Sequence, residues 1–169
     1  LNFNFQGSAS RQEFKIGFTE PYFMERRLSA GFDLFQVTTD RQTDSSFDES
    51  KAGGSLKLGY VLGRDLSQSL KYQLKRTEIR NVDETASTLI KEQEGTNTVS
   101  QISQTTVFDK RDNRYEPKDG YVVSLTNELA GLSGDTQHLR TKIKTGYFVS
   151  LFEDKVLAFI AESGHIIGI

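Results

Sequence analysis

Apolar and polar residues alternate along most of this chain with a period of two. Phe14, Ile16 and Phe18 are interleaved with Glu13, Lys15 and Gly17, and Leu28, Ala30, Phe32 and Leu34 with Ser29, Gly31 and Asp33. The rhythm continues through Leu56, Leu58, Tyr60 and Leu62 against Lys57, Gly59 and Gly63. It recurs in Leu66, Leu70, Tyr72 and Leu74 against Ser67, Ser69, Lys71, Gln73 and Lys75. Tyr121, Val123, Leu125 and Leu129 face away from Ser124, Thr126 and Glu128. The clearest stretch sets Leu139, Ile143, Tyr147, Val149 and Leu151 against Arg140, Lys142, Lys144, Gly146 and Ser150. Residues i, i+2 and i+4 share one face of a strand, so each segment reads as a two-faced ribbon.

This pattern predicts about nine strands, over residues 1–7, 12–19, 27–38, 54–62, 66–78, 98–109, 120–131, 137–152 and 156–168. Val99 to Phe108 is a weaker member, rich in Ser, Gln and Thr, and Val156 onwards is apolar on both faces at first. No helical period stands out, and every connection is compatible with a hairpin. The expected fold is therefore all-β, an antiparallel up-and-down sheet. Leu1-Asn2-Phe3-Asn4-Phe5 already alternates, and Ile166-Ile167-Gly168-Ile169 ends inside an apolar run. The expectation is an excerpt of a longer protein, cut within strands at both ends.

Two-faced strands do not by themselves say which face is wet, and a soluble β-barrel or sandwich is the plain alternative. Three features favour a transmembrane barrel. Several strands reach ten residues or more, beyond the roughly five or six usual in soluble sheets and close to the roughly 9–11 of a tilted membrane strand. Connections at Leu62–Leu66 and Phe152–Lys155 are tight, whereas Thr38–Gly53 and Thr77–Thr98 are long and polar. With alternating strand direction the tight turns share one side and the long loops the other, as in outer-membrane barrels. Gly7–Arg11, short on the loop side, and Asp109–Gly120, long on the turn side, run against that rule. Thirdly, Phe18, Tyr22, Phe23, Tyr115, Tyr121, Phe148 and Phe152 cluster near the turns, where a periplasmic girdle of aromatics belongs.

Composition removes several other readings. Mean hydropathy is −0.49, and no run approaches the roughly 20 apolar residues of a spanning helix. Alternating strands give such a low average even in a membrane barrel. Twenty-one basic residues against 23 acidic leave a net charge of −2, so nothing points to nucleic acid. Without cysteine there is neither a disulfide frame nor a thiolate metal site. His138 and His165 lack the spacing of a zinc site. Ser163 and His165 share a strand face but have no evident orienting acid, so no catalytic residue is expected. Gly53-Gly54 is read as a turn. Lys71, Lys75, Arg140, Lys142 and Lys144 would face the lumen together with Glu128 and Glu162. That set fits an anion-preferring porin or the solvated wall of any barrel, and the solvated wall is the favoured reading. No cofactor or metal is expected.

Two turns carry more. Gly17-Phe18-Thr19-Glu20-Pro21-Tyr22-Phe23 joins two strands, and Thr106 to Gly120 contains Asp109-Lys110-Arg111-Asp112-Asn113 followed by Pro117 and Gly120. Both resemble turns of the BamA–TamA superfamily of outer-membrane barrels, the bacterial surface antigens. The second is similar to the periplasmic turn in the middle of that barrel. Asp109, Arg111, Asp112, Asn113, Pro117 and Gly120 carry over as its turn motif. Physically they set a rigid turn: Pro117 fixes φ, Gly120 supplies φ > 0 or close approach, and the acids and Asn113 cap backbone donors. Arg111 and Arg114 are placed to pair with neighbouring acids.

The resemblance covers essentially the whole chain and places it from about the third to about the eleventh of sixteen strands, roughly nine of them, an even-numbered barrel. It implies a C-terminal barrel domain whose POTRA domains and remaining strands lie outside residues 1–169. It further implies a non-enzymatic factor that folds other outer-membrane proteins by strand pairing at a lateral seam. The implied partners are unfolded outer-membrane clients, assembly lipoproteins and the lipid bilayer. A TamA-like relative, a two-partner secretion pore and a passive porin are the alternatives.

Overall fold

A computed structural model describes residues 2–8, 10–42, 47–83, 87–134, 137–152 and 155–169. Nine strands follow one another: β1 (Asn2–Gly7), β2 (Arg11–Glu20), β3 (Leu28–Asp40), β4 (Asp48–Val61), β5 (Leu66–Arg80), β6 (Gly95–Asp109), β7 (Gly120–Gly134), β8 (His138–Phe152) and β9 (Lys155–Gly168). Each pairs antiparallel with the next, so spatial order equals chain order. The nine form one open, all-β sheet with β1 and β9 at its edges, the up-and-down meander that the alternation predicts.

Register puts every apolar ridge on one side. Phe32 lies between Phe18 and Leu56, and Tyr72 between Leu56 and Ile102. Leu129 lies between Ile102 and Leu139, and Ile143 faces Leu125. The other side joins Asp33, Ser55, Gln73 and Gln101 in one cross-strand row, and Glu128 to Arg140 in another. Because side chains alternate with period two, a one-residue slip would exchange these faces, so the pattern fixes the register.

The sheet has no conventional interior. Among the described residues only Val37, Ile79 and Ala130 are buried apolar side chains. Large ones such as Leu56, Leu74, Ile102, Leu125 and Tyr147 stand exposed along the apolar face. The remaining exposed apolar residues lie at strand ends, in connections, or on the edge strand β9.

The structure departs from the expected bounds mainly at the long-loop end. β4 begins at Asp48 rather than at residue 54, β5 runs to Arg80, and β6 starts at Gly95. The extensions of β4 over Asp48-Glu49-Ser50-Lys51 and of β6 over Gly95-Thr96-Asn97 are polar on both faces, so they give no alternation signal, while β5 gains only Ile79 and Arg80. Strands of 14 or 15 residues exceed what a tilted strand needs to cross hydrocarbon, and these polar extensions form the surplus. The connection between β5 and β6 carries a five-residue helix, α1 (Thr88–Glu92), too short to show a period. The β6–β7 ladder holds a bulge at its long-loop end, where register jumps between Val99 and Gln101. Leu1 of the expected first strand, and parts of the expected loops and of the Phe152–Lys155 turn, lie outside the described residues.

Candidate functional site

The connection between β6 and β7 is the most densely hydrogen-bonded loop in the described structure. The Asp109 carboxylate closes the end of β6 and receives Arg111 side-on: Nε donates to Oδ1 and Nη2 to Oδ2, both at 2.8 Å. The Arg111 backbone N–H also donates to Oδ1. Arg114 Nε lies 3.5 Å from the same carboxylate, and Arg111 Nη1 donates to the Arg114 carbonyl. Hydrogen bonding to Asp109 favours the charged guanidinium and raises Arg111 above its ordinary value.

Asp112 and Asn113 cap the rest of the loop. Asp112 Oδ1 accepts from the backbone N–H groups of Lys118 at 3.0 Å and Asp119 at 3.1 Å. Asn113 Oδ1 accepts from those of Tyr115 and Glu116. The bonds from Asp119 above all, with further backbone donors, hold the Asp112 carboxyl below the usual carboxylate range. Gly120 has φ +104°, and a Cβ there would lie 2.2 Å from the Lys110 carbonyl oxygen. Only glycine permits that approach. Pro117 sits in the same loop two residues before Asp119.

The loop is also tied to its neighbours. Asp109 N–H donates to the Asp65 carbonyl in the adjoining turn, at 2.8 Å. Ser150 N–H near the end of β8 donates to Asp119 Oδ1 at 3.1 Å. The loop is thus bonded on one side to the β4–β5 turn and on the other to the last turn-ward residues of β8. Asp65, Asp119 and Ser150 have no assigned role in the sequence reading, because their partners lie across strands and leave no local signal.

The aromatic set divides by position. Phe18 stacks on Phe32 with centroids 6.1 Å apart, and Tyr121 on Phe108 at 5.9 Å, both on the apolar face. Lys110 Nζ lies 5.6 Å from the Phe108 centroid. Tyr22 and Phe23 sit in the β2–β3 connection, where Met24 and Glu25 adopt positive φ. Tyr115 is almost wholly exposed in the long turn, and Phe152 closes β8 beneath Lys155. Phe148 differs: by register it shares the polar face with Lys144 and Gly146, and its ring lies beside Gly146.

On the polar face the expected cations meet acids across strands. Arg140 pairs with Glu128, and Lys142 Nζ lies 2.6 Å from Glu162. Lys57 pairs with Asp33, which also accepts from Ser55 Oγ at 3.1 Å. Lys71 and Lys75 lie on this face as well, whereas Ser163 and His165 lie on the apolar face of β9. His138, at the start of β8, is opposite Ala130.

The sequence profile of the Omp85 superfamily domain matches residues 1–168. The chain belongs to the Omp85 superfamily.

Within Omp85, the chain is 30% identical over 164 residues to the outer membrane protein assembly factor BamA of Neorickettsia risticii, covering 96% of this chain and 22% of that protein. A SAM50-like protein of Drosophila melanogaster is 27% identical over 172 residues, covering 96% and 39%. The crystal structure of BamA from Haemophilus ducreyi lacking POTRA domains 1–3 superposes with a TM-score of 0.76. It has 16% identity and covers 99% of this chain and 35% of that one. The chain therefore spans about a fifth of the length of the bacterial relative. It is a BamA-like Omp85 barrel segment of the bacterial outer membrane. The apolar face meets lipid and the polar face lines the lumen, as a bilayer requires of closed strands.

Proposed function

We propose that the protein to which these strands belong folds and inserts other outer-membrane proteins. The observation that carries this reading is the match of nearly the whole chain to a bacterial outer membrane protein assembly factor. In it, residues 1–169 form part of a C-terminal barrel, completed by further strands and preceded by POTRA domains. Unfolded outer-membrane proteins are the clients, and partner lipoproteins help to deliver them. A seam between the barrel's first and last strands opens, and client strands pair with the exposed edge. Unpaired N–H and C=O groups template an added strand, so the process needs no covalent chemistry, nucleotide or metal.

In this reading the segment is the rigid part of the machine. The motif of Asp109, Arg111, Asp112, Asn113, Pro117 and Gly120 locks a periplasmic turn, and the bonds from Asp109 to Asp65 and from Ser150 to Asp119 tie it to the β4–β5 turn and to the end of β8. Phe18, Tyr22, Phe23, Tyr115, Tyr121, Phe148 and Phe152 mark the level of that rim. Rigidity here leaves opening to a seam elsewhere. Depletion of the full-length protein in its host tests the reading: folded outer-membrane proteins should fall together as unfolded forms accumulate in the periplasm. Loss of permeability with client folding untouched would instead indicate a passive porin.

A further inference from the structure

Among the described residues the lumen wall carries positive charge that its own acids do not pair. On β2 to β5 each lumen acid already holds a cation: Glu13 has Arg11 and Lys15, Asp33 has Lys57, and Glu49 has Lys51 and Arg41. Lys71 is opposite Lys57 in the β4–β5 ladder, and among the described residues it forms no ion pair. Like charges directly opposite one another on a sheet face are destabilising. The nearby acids are already engaged, Asp33 by Lys57 and Ser55 and Glu128 by Arg140.

The surroundings are shaped to receive a negative group. Lys15, Asp33, Ser55, Lys57, Lys71 and Gln73 line one concavity of about 470 Å³. Lys57, Lys71 and Gln73 also border the adjoining depression, with Ser103, which is opposite Lys71. Ser103 Oγ accepts from Gln101 Nε2 at 3.1 Å, leaving its own hydroxyl hydrogen to donate. Lys15, Lys57, Lys71 and Arg140 against two engaged carboxylates, Asp33 and Glu128, leave the two depressions net positive, with neutral donors beside them.

We propose that Lys57 and Lys71 form an anion-binding station on the lumen wall, taking a carboxylate or phosphate group, with Gln73 and Ser103 as neutral donors. The station rests on the barrel and not on the assembly activity, so it stands or falls separately. Two sources share the chemistry: an acidic side chain of another segment of the same polypeptide folded into the lumen, or a free anion. A charge-assisted hydrogen bond from each ammonium stabilises either one.

Competitive acetylation of the full-length protein in liposomes tests this, with Lys118 in the exposed turn as reference, in phosphate and in chloride at equal ionic strength. A free anion slows labelling of Lys71 by about tenfold in saturating phosphate, and Lys71→Gln abolishes the protection of Lys57. An internal carboxylate protects Lys71 in both buffers and gives a carbodiimide cross-link from Lys71 to an acid other than Asp33. Labelling of Lys71 at the Lys118 rate in both buffers, with cross-linking to Asp33 alone, overturns the proposal.

Discussion

Arg111 meets Asp109 through two parallel hydrogen bonds of 2.8 Å, Nε to Oδ1 and Nη2 to Oδ2. The side chains are 19% and 9% exposed, so the pair is more shielded than an ordinary surface bridge. Bidentate geometry of this kind fixes direction as well as distance. It anchors the ten-residue connection of residues 110–119 to the end of β6.

Replacing Asp109 by Asn keeps the shape but removes the charge and one acceptor. Arg111 then keeps its burial without its partner. Hydrogen bonds to charged groups contribute about 1.5–3 kcal/mol, so D109N should lower unfolding stability by about that much. Urea titration of the full-length barrel in vesicles, read by heat-modifiable gel mobility, measures it. Arg111→Lys, which retains charge but not the fork, should cost more than half as much as D109N.

Two turn glycines give an internal contrast. At Gly120 an added Cβ would meet the Lys110 carbonyl at 2.2 Å, and φ is +104°, whereas at Gly63 nothing lies within 4 Å. Gly120→Ala should therefore destabilise by about 1–3 kcal/mol or prevent folding, and Gly63→Ala should fall within about 0.5 kcal/mol of the parent. Equal effects in the same assay would contradict the geometry.

Asp112 supplies a pH dependence. Its folded carboxyl lies below the ordinary value of 3.8 because backbone donors, Asp119 first, favour the charged form. A depressed folded value contributes stability that is fully present above the unfolded value and is lost as pH falls through the folded one. Asp112→Asn keeps the Oδ1 acceptor but cannot titrate. Its stability should match the parent's more closely as pH falls through the acid range, flattening the acid limb of the unfolding profile.

Charge should be tolerated on one face only. Ile143 lies on the lipid face between Lys142 and Lys144, which point into the lumen. Ile143→Arg should cost about 2–4 kcal/mol near the bilayer midplane. Ser124→Glu, opposite Lys144 on the lumen face, should stay within about 1 kcal/mol. Unfolding in vesicles of defined thickness distinguishes them.

The nine strands and their two faces are legible in the sequence because a bilayer and a wet lumen impose opposite polarity on successive residues. That signal fades where both faces are wet, which is why Asp48 to Lys51 read as loop although they extend β4. Local caps such as Asp112 and Asn113 follow from residue type and spacing. The bonds from Asp109 N–H to Asp65 and from Ser150 to Asp119 do not, because register across strands creates them. Phe148 shows the same limit: its place near a turn is readable, but only the ladder shows that it points inward. The like-charge apposition of Lys57 and Lys71 is likewise invisible until β4 and β5 are aligned.

The assembly reading is tested most directly by reconstituting the full-length protein in liposomes and following an unfolded client barrel by heat-modifiable gel shift. Faster client folding than in empty liposomes is the predicted result, and it should persist when client and factor are matched for lipid thickness. No acceleration with partner lipoproteins supplied, alongside steady ion conductance, would contradict the account.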